Sequence, residues 1–239
     1  MGCISMNKGF TLVELLVALV ISGVLMTAVY TTFQAQQNSY LAQEQVAEMQ
    51  QNIRAGLDIM VSELRIAGYD GANETSHSSC NLYVSGSLGA AVSPGVLAVT
   101  ANKLDISMDL NRDGDCADTG ENLSYYIYIA GDGVDKLGRR DNTPAFHSSP
   151  TSPSVQAVAE SFEKLEFIYL DSTQLTTTNL ADIRSVKVSI LAITRNPDRN
   201  YTNNKTYRSL SGDDWTPVPP DHFRRRLQTM TVKCRNLGL

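Results

Sequence analysis

Glu14 is the single charge in a run of 24 residues, Phe10 to Phe33, of which 17 are apolar. A carboxylate at membrane depth costs a few kcal/mol and is therefore paired or functional. The positions three and four residues away along a helix (10, 11, 17 and 18) hold no Lys or Arg. Its partner must come from another chain, or from a free amino terminus cut nearby. A second constellation is Asp109-Leu110-Asn111-Arg112-Asp113-Gly114-Asp115. It matches the first half of a calcium loop, with oxygen donors at Asp109, Asn111, Asp113 and Asp115 and a glycine for the sharp turn. The closing acid is displaced: Gly120 occupies the twelfth position and Glu121 the thirteenth, with Asp118 as the substitute in an irregular loop. The same residues also suit a solvated turn between two strands. Calcium is the one cofactor the sequence suggests. His77, His147 and His222 fall in predicted loops, without HExxH, GxSxG or P-loop signatures. No nucleophile has an identifiable base, so the sequence reads as non-catalytic.

The elements that must position these groups start with a helix. The apolar run is long enough to span a bilayer, which needs about 20 residues, and too long for the core of a secretory signal. Helical periodicity continues through Val46, Met49, Ile53, Leu57, Met60 or Val61, and Leu64, with polar residues between. Gly68 is the predicted stop. One helix of about 58 residues, roughly 87 Å, results. From about residue 96 the pattern turns to strands: Leu104 to Met108, Leu123 to Ile129, Phe162 to Leu170, Ile183 to Thr194 and Leu227 to Cys234. The linkers are too short for crossover helices, so the sheets should be antiparallel. Tyr69 to Pro94 reads as a loop-rich excursion.

The chain has 239 residues, 42% hydrophobic, with a formal net charge of −5 and four cysteines. That composition excludes a disordered chain, and a mean hydropathy of −0.16 with one apolar window excludes a multi-span membrane protein. Mild acidity argues against a nucleic-acid binder. Charge is uneven: residues 55–194 carry 9 basic and 18 acidic side chains, residues 195–239 carry 9 and 4. The run Arg224-Arg225-Arg226 suits protection of an exposed strand edge, with an acidic partner or a polyanion as the other readings.

Lys8-Gly9-Phe10-Thr11-Leu12-Val13-Glu14-Leu15-Leu16-Val17-Ala18-Leu19 resembles the class III signal of type IV prepilins and type II secretion pseudopilins. The resemblance implies a membrane peptidase that cuts after Gly9 and methylates the new N-terminal Phe10. The leader is then Met1–Gly9, or four residues if translation begins at Met6, and Cys3 leaves with it. Glu14 becomes the fifth mature residue, able to pair with the Phe10 ammonium of a neighbouring subunit. Leu64-Arg65-Ile66-Ala67-Gly68-Tyr69, Leu137-Gly138-Arg139-Arg140, Leu165-Glu166-Phe167-Ile168-Tyr169-Leu170, Ile183-Arg184-Ser185-Val186-Lys187-Val188 and the ending from Arg224 to Leu237 are similar to the PilW group of minor pilins and to the J pseudopilin.

Membership of that group implies an α+β, type IV pilin fold with one long N-terminal helix on an antiparallel head. Its parts are a leader (1–9), a transmembrane or filament-core helix (10–33), an amphipathic continuation (34–68) and a periplasmic head (69–239). The implied function is a minor pilin that joins the pilus and primes its assembly or sits near its tip; a J-type pseudopilin and a tip adhesin are the alternatives. Implied partners are the prepilin peptidase/methylase, other major and minor pilins and the inner-membrane platform. The chain would wait in the inner membrane with its N-terminus cytoplasmic, then move to the cell surface. Many major pilins carry a proline in the membrane half; here Gly23 and Thr27 are the residues that would permit a bend. In an oxidising periplasm the first choice of disulfide is Cys80–Cys116, with Cys80–Cys234 as the alternative. Cys234 alternates in phase with Met230 and Val232, as a core residue would.

Overall fold

A computed structural model describes residues 9–71, 83–84, 87–88, 94–142 and 155–237. The chain divides into two units, residues 1–44 and 45–239. One α-helix, α1 (Leu12–Ile66, 55 residues), supplies the described helix of the first unit and the opening of the second.

In the first unit the large apolar side chains from Leu12 to Phe33 are all more than half exposed. Ser22 Oγ donates to Ala18 O at 2.7 Å and Thr27 Oγ1 to Gly23 O at 2.9 Å, so these hydroxyls are satisfied by the helix itself. Such a segment is long and apolar enough to cross a membrane.

The second unit is antiparallel throughout its sheets. Strands β3 (Val96–Val99), β4 (Lys103–Ser107), β5 (Asn122–Ile129), β6 (Asp135–Asp141) and β7 (Val155–Glu160) form a meander in chain order. Strands β8 (Phe162–Leu170), β9 (Ser185–Ile193) and β10 (Arg225–Lys233) form a second sheet in the order β10-β9-β8. Within the predicted excursion, β1 (Tyr83–Val84) and β2 (Ser87–Leu88) pair as a short hairpin.

The core lies between α1 and these sheets. Met49, Ile53, Leu57, Met60, Val61 and Leu64 are buried in one cluster with Leu104, Ile106, Tyr125, Phe162, Val188 and Ile190. Each such aliphatic side chain contributes about 1.5–3 kcal/mol on burial. The heptad-like spacing of the helix is thus a packing stripe against β-structure. Gly56 sits inside that stripe, and a Cβ there would stand 3.0 Å from Leu137 and 3.4 Å from both Ala159 and Phe162. A glycine in a helix interior costs about 1 kcal/mol relative to alanine; here it permits close approach of the helix to β6, β7 and β8.

The predicted stop is borne out. Gly68 has φ +79°, and the helix ends two residues earlier. Residues 235–237 close over this end: Arg235 N donates to Arg65 O at 3.4 Å, Asn236 Nδ2 to Ile66 O at 3.0 Å, and Leu237 fills the space a Gly68 side chain would need.

Candidate functional site

Gly9, Phe10 and Thr11 precede the first helical turn, and Phe10 is 89% exposed. Thr11 and Glu14 form a reciprocal cap. Thr11 N and Thr11 Oγ1 each donate to Glu14 Oε2 at 2.9 Å, while Glu14 N donates to Thr11 Oγ1 at 3.3 Å. This satisfies helix-end donors and places a negative charge where the helix dipole favours it. Oε1 of Glu14 makes no hydrogen bond to the described residues. The charge pattern singles out Glu14 and leaves Thr11 unnoticed, although the Thr-x-x-Glu spacing is itself a capping signal.

The acidic loop differs from the expected ligand set. Asp113, Asp115 and Asp118 bring carboxylate oxygens within 4.8 Å of one another. Asp109 is not among them: it is fully buried and accepts Arg112 N at 2.6 Å and Gly114 N at 3.2 Å. Its carboxylate braces the turn, in which Arg112 and Gly114 both have positive φ. Asn111 reaches the cluster as a donor, its Nδ2 bonding Asp113 at 2.9 Å and Asp118 at 2.7 Å. That hydrogen bond from Asn111 is the main cause holding the Asp113 carboxyl below its usual range. Glu121 is buried and takes the N–H groups of Leu110, Asn111 and Asp118. Desolvation outweighs those bonds and raises its pKa. Glu121 therefore closes the loop through the backbone.

Cys116 is disulfide-bonded, and Cys80 lies outside the described residues. Cys234 is free and 2% exposed, and burial pushes its thiol up to about 12. It packs as the small core residue its phase suggested, and the Cys80–Cys234 alternative falls.

Two polar ties hold the second unit together. Glu63 on α1 receives Arg139 Nε at 2.9 and 3.2 Å and the Tyr125 hydroxyl, fixing the helix to β5 and β6. Burial, and then the Glu63 charge, raise the Tyr125 pKa well above its ordinary value. The long segment between β9 and β10 is tied by arginines. Arg225, 4% exposed in its side chain, bridges Glu163 at 2.5 Å and Asp221 at 2.6 Å. Arg224 bonds Asp198 at 2.8 Å and lies 4.4 Å over the Tyr201 ring. The buried Glu166 carboxylate accepts Leu210 N and Ser211 N at 2.7 and 3.2 Å. Of the predicted edge-guarding run, Arg224 and Arg225 are thus engaged in internal ion pairs, and only Arg226 is exposed and without an ion pair among the described residues. His222 is exposed, its Nδ1 2.7 Å from Tyr201 O; His77 and His147 lie outside the described residues.

Comparison with known proteins bears on both ends of the chain. A type IV-like pilin from Thermus thermophilus is similar at 13% identity with a TM-score of 0.41, covering 79% of this chain and 97% of that one. No curated protein matches. Residues 4–30 match the Prokaryotic N-terminal methylation motif family, and residues 168–236, from the end of β8 through β10, match the Type IV Pilus-assembly protein W family.

Proposed function

We propose that this chain is a minor type IV pilin, a non-catalytic structural subunit stored in the inner membrane through α1 and drawn from there into the pilus, where it primes assembly or sits near the tip. The observation that carries the reading is the divided carboxylate of Glu14. One oxygen caps its own helix through Thr11, and the other bonds none of the described residues, at the fifth position after Gly9. Cleavage after Gly9 frees the Phe10 amine, which the same enzyme methylates. In a bundle of apolar stems that ammonium is costly alone, and a neighbour's Glu14 is the compensating charge. The pairing sets the axial stagger between subunits, and a head-to-tail contact of this kind extends without closing. With the N-terminus cytoplasmic, Lys8 marks the retained side and residues 69–239 are the periplasmic head. There Cys80 is the proposed partner of Cys116, because Cys3 leaves with the leader and Cys234 is free.

Mass spectrometry of protein taken from cells tests the reading. The expected species is an N-methylated chain beginning at Phe10, absent when Gly9 is replaced by a bulky residue. An assembled protein that keeps Met1 or Met6 overturns it. Calcium is proposed for the loop on the convergence of Asp113, Asp115 and Asp118. Metal-free protein should then melt higher in millimolar calcium, by about 2.7 kcal/mol of stability at a hundredfold excess over Kd; an unchanged melting curve removes calcium from the loop.

A further inference from the structure

Strand β10 is the open edge of its sheet. It pairs with β9 over all nine residues, from Arg225↔Ile193 to Lys233↔Ser185. Thr194 N donates to Arg224 O at 2.9 Å and Cys234 N to Arg184 O at 3.0 Å. Even-numbered residues therefore turn their backbone groups toward β9, and Leu227, Thr229 and Thr231 turn theirs outward. Among the described residues no backbone group bonds those outward positions, and the Gln228 side chain reaches one of them, its Nε2 3.4 Å from Thr229 O. Beside this edge runs a groove of about 210 Å³ between α1 and β10, lined by Ile53, Arg54, Leu57, Asp58, Arg226 and Met230, with Gln50 and Gln228 alongside. Arg54 and Arg226 have no ion-pair partner among the described residues, in contrast to the Arg224 and Arg225 pairs next to them.

Natural edges of this length are blunted by charge, proline or a covering element. Here two of the three arginines that would have guarded the edge, Arg224 and Arg225, are engaged in internal ion pairs, and Arg226 is exposed. A strand added to β10 would lie about 4.8 Å from it. Its inward side chains, at every second position, would fall over the groove, where two unpaired guanidiniums outnumber the single carboxylate of Asp58. We propose that the edge of β10 is a strand-addition site for an extended acidic peptide segment of another chain, with backbone bonds to Leu227, Thr229 and Thr231 and a carboxylate set between Arg54 and Arg226. Backbone pairing would supply affinity and the arginines selectivity. The site lies within the second unit and does not depend on the pilus reading of the N-terminus.

The test uses the full chain in detergent micelles and a fluorescent ten-residue peptide alternating Thr with Glu and Val. Saturable binding is expected, falling by about tenfold or more in Thr229→Pro, which removes an outward N–H and no bond to β9. The double variant Arg54→Glu/Arg226→Glu should lose this peptide and gain one carrying Lys for Glu, which keeps the test valid should the proline variant melt early. Absence of saturable binding, binding indifferent to both variants, or a full-chain dimer abolished by Thr229→Pro would overturn the proposal, the last by assigning the edge to a second copy.

Discussion

Two stretches of one helix carry opposite surfaces. From Leu12 to Phe33 the large apolar side chains are exposed, while from Met49 to Leu64 those at three- and four-residue steps are buried against β-structure. Secondary structure is identical in both, so the difference lies in what the sequence offers to each surroundings. The later stretch has a stripe and finds its partner within the chain. The earlier one is apolar all round, and a helix of that kind belongs in lipid or among other helices. One element can be written for two solvents.

The largest effect expected on that contrast is from Glu14→Leu. Membrane insertion should persist, while co-purification with other pilins and the pilus count in cells relying on this subunit should collapse. Normal incorporation would mean that helix packing alone sets the register. Next comes a pair of truncations. Leu57→Ala should destabilise the head by about 3 kcal/mol through a cavity, whereas Leu16→Ala should leave the thermal melt of the head unmoved; equal effects would erase the contrast. Arg225→Ala strands Glu163 and Asp221 and should cost about 2 kcal/mol by the same measurement, less than a fully buried pair because both acids are partly solvated. Smaller still is Thr11→Ala, which removes a cap worth about 1 kcal/mol, read as earlier fraying of the first helical turn by amide hydrogen exchange.

Acid should sharpen a second contrast, inside the head. The Arg224 hydrogen bond to Asp198 and the Arg225 hydrogen bond to Asp221 hold both carboxyls below the usual range. A depressed carboxyl contributes stability present above its unfolded value, about 4, and lost as pH falls through the folded one. Glu121 has the opposite sign, because burial raises it and its protonation on acidification favours the native state. Melting temperatures across this range should fall as pH drops below about 4, and Asp221→Asn should flatten the fall.

Long periodic elements were legible from the residues alone. The helix, its stop at Gly68, and the strands expected at 104–108, 123–129, 162–170, 183–194 and 227–234 are observed within a few positions. Strands β6 and β7 are not among the expected runs; Asp-Lys-Leu-Gly-Arg-Arg-Asp is mostly charged, and Val-Gln-Ala-Val-Ala-Glu is short and weakly patterned. At the candidate site the spacing revealed Glu14. It misassigned Asp109, because alternating oxygen donors do not tell which carboxylates face outward and which brace the backbone. The arginine run misled for a related reason: two of its three ion-pair partners, Asp198 and Glu163, lie 26 and 62 residues away, beyond any local pattern, and only Asp221 is near, at four residues.

The closing of the helix end by residues 235–237 bears on the order of events during synthesis. The carbonyls of Arg65 and Ile66 wait 170 residues for the groups that satisfy them. When the first 70 residues have left the ribosome, the apolar stem is complete and can already enter a bilayer, while the head has no partner for its helical stripe. On the proposed membrane-anchored reading, anchoring precedes completion of the head, whose helix end is closed only when residues 235–237 arrive. A truncation before residue 235 should thus yield an inserted protein with an unfinished head.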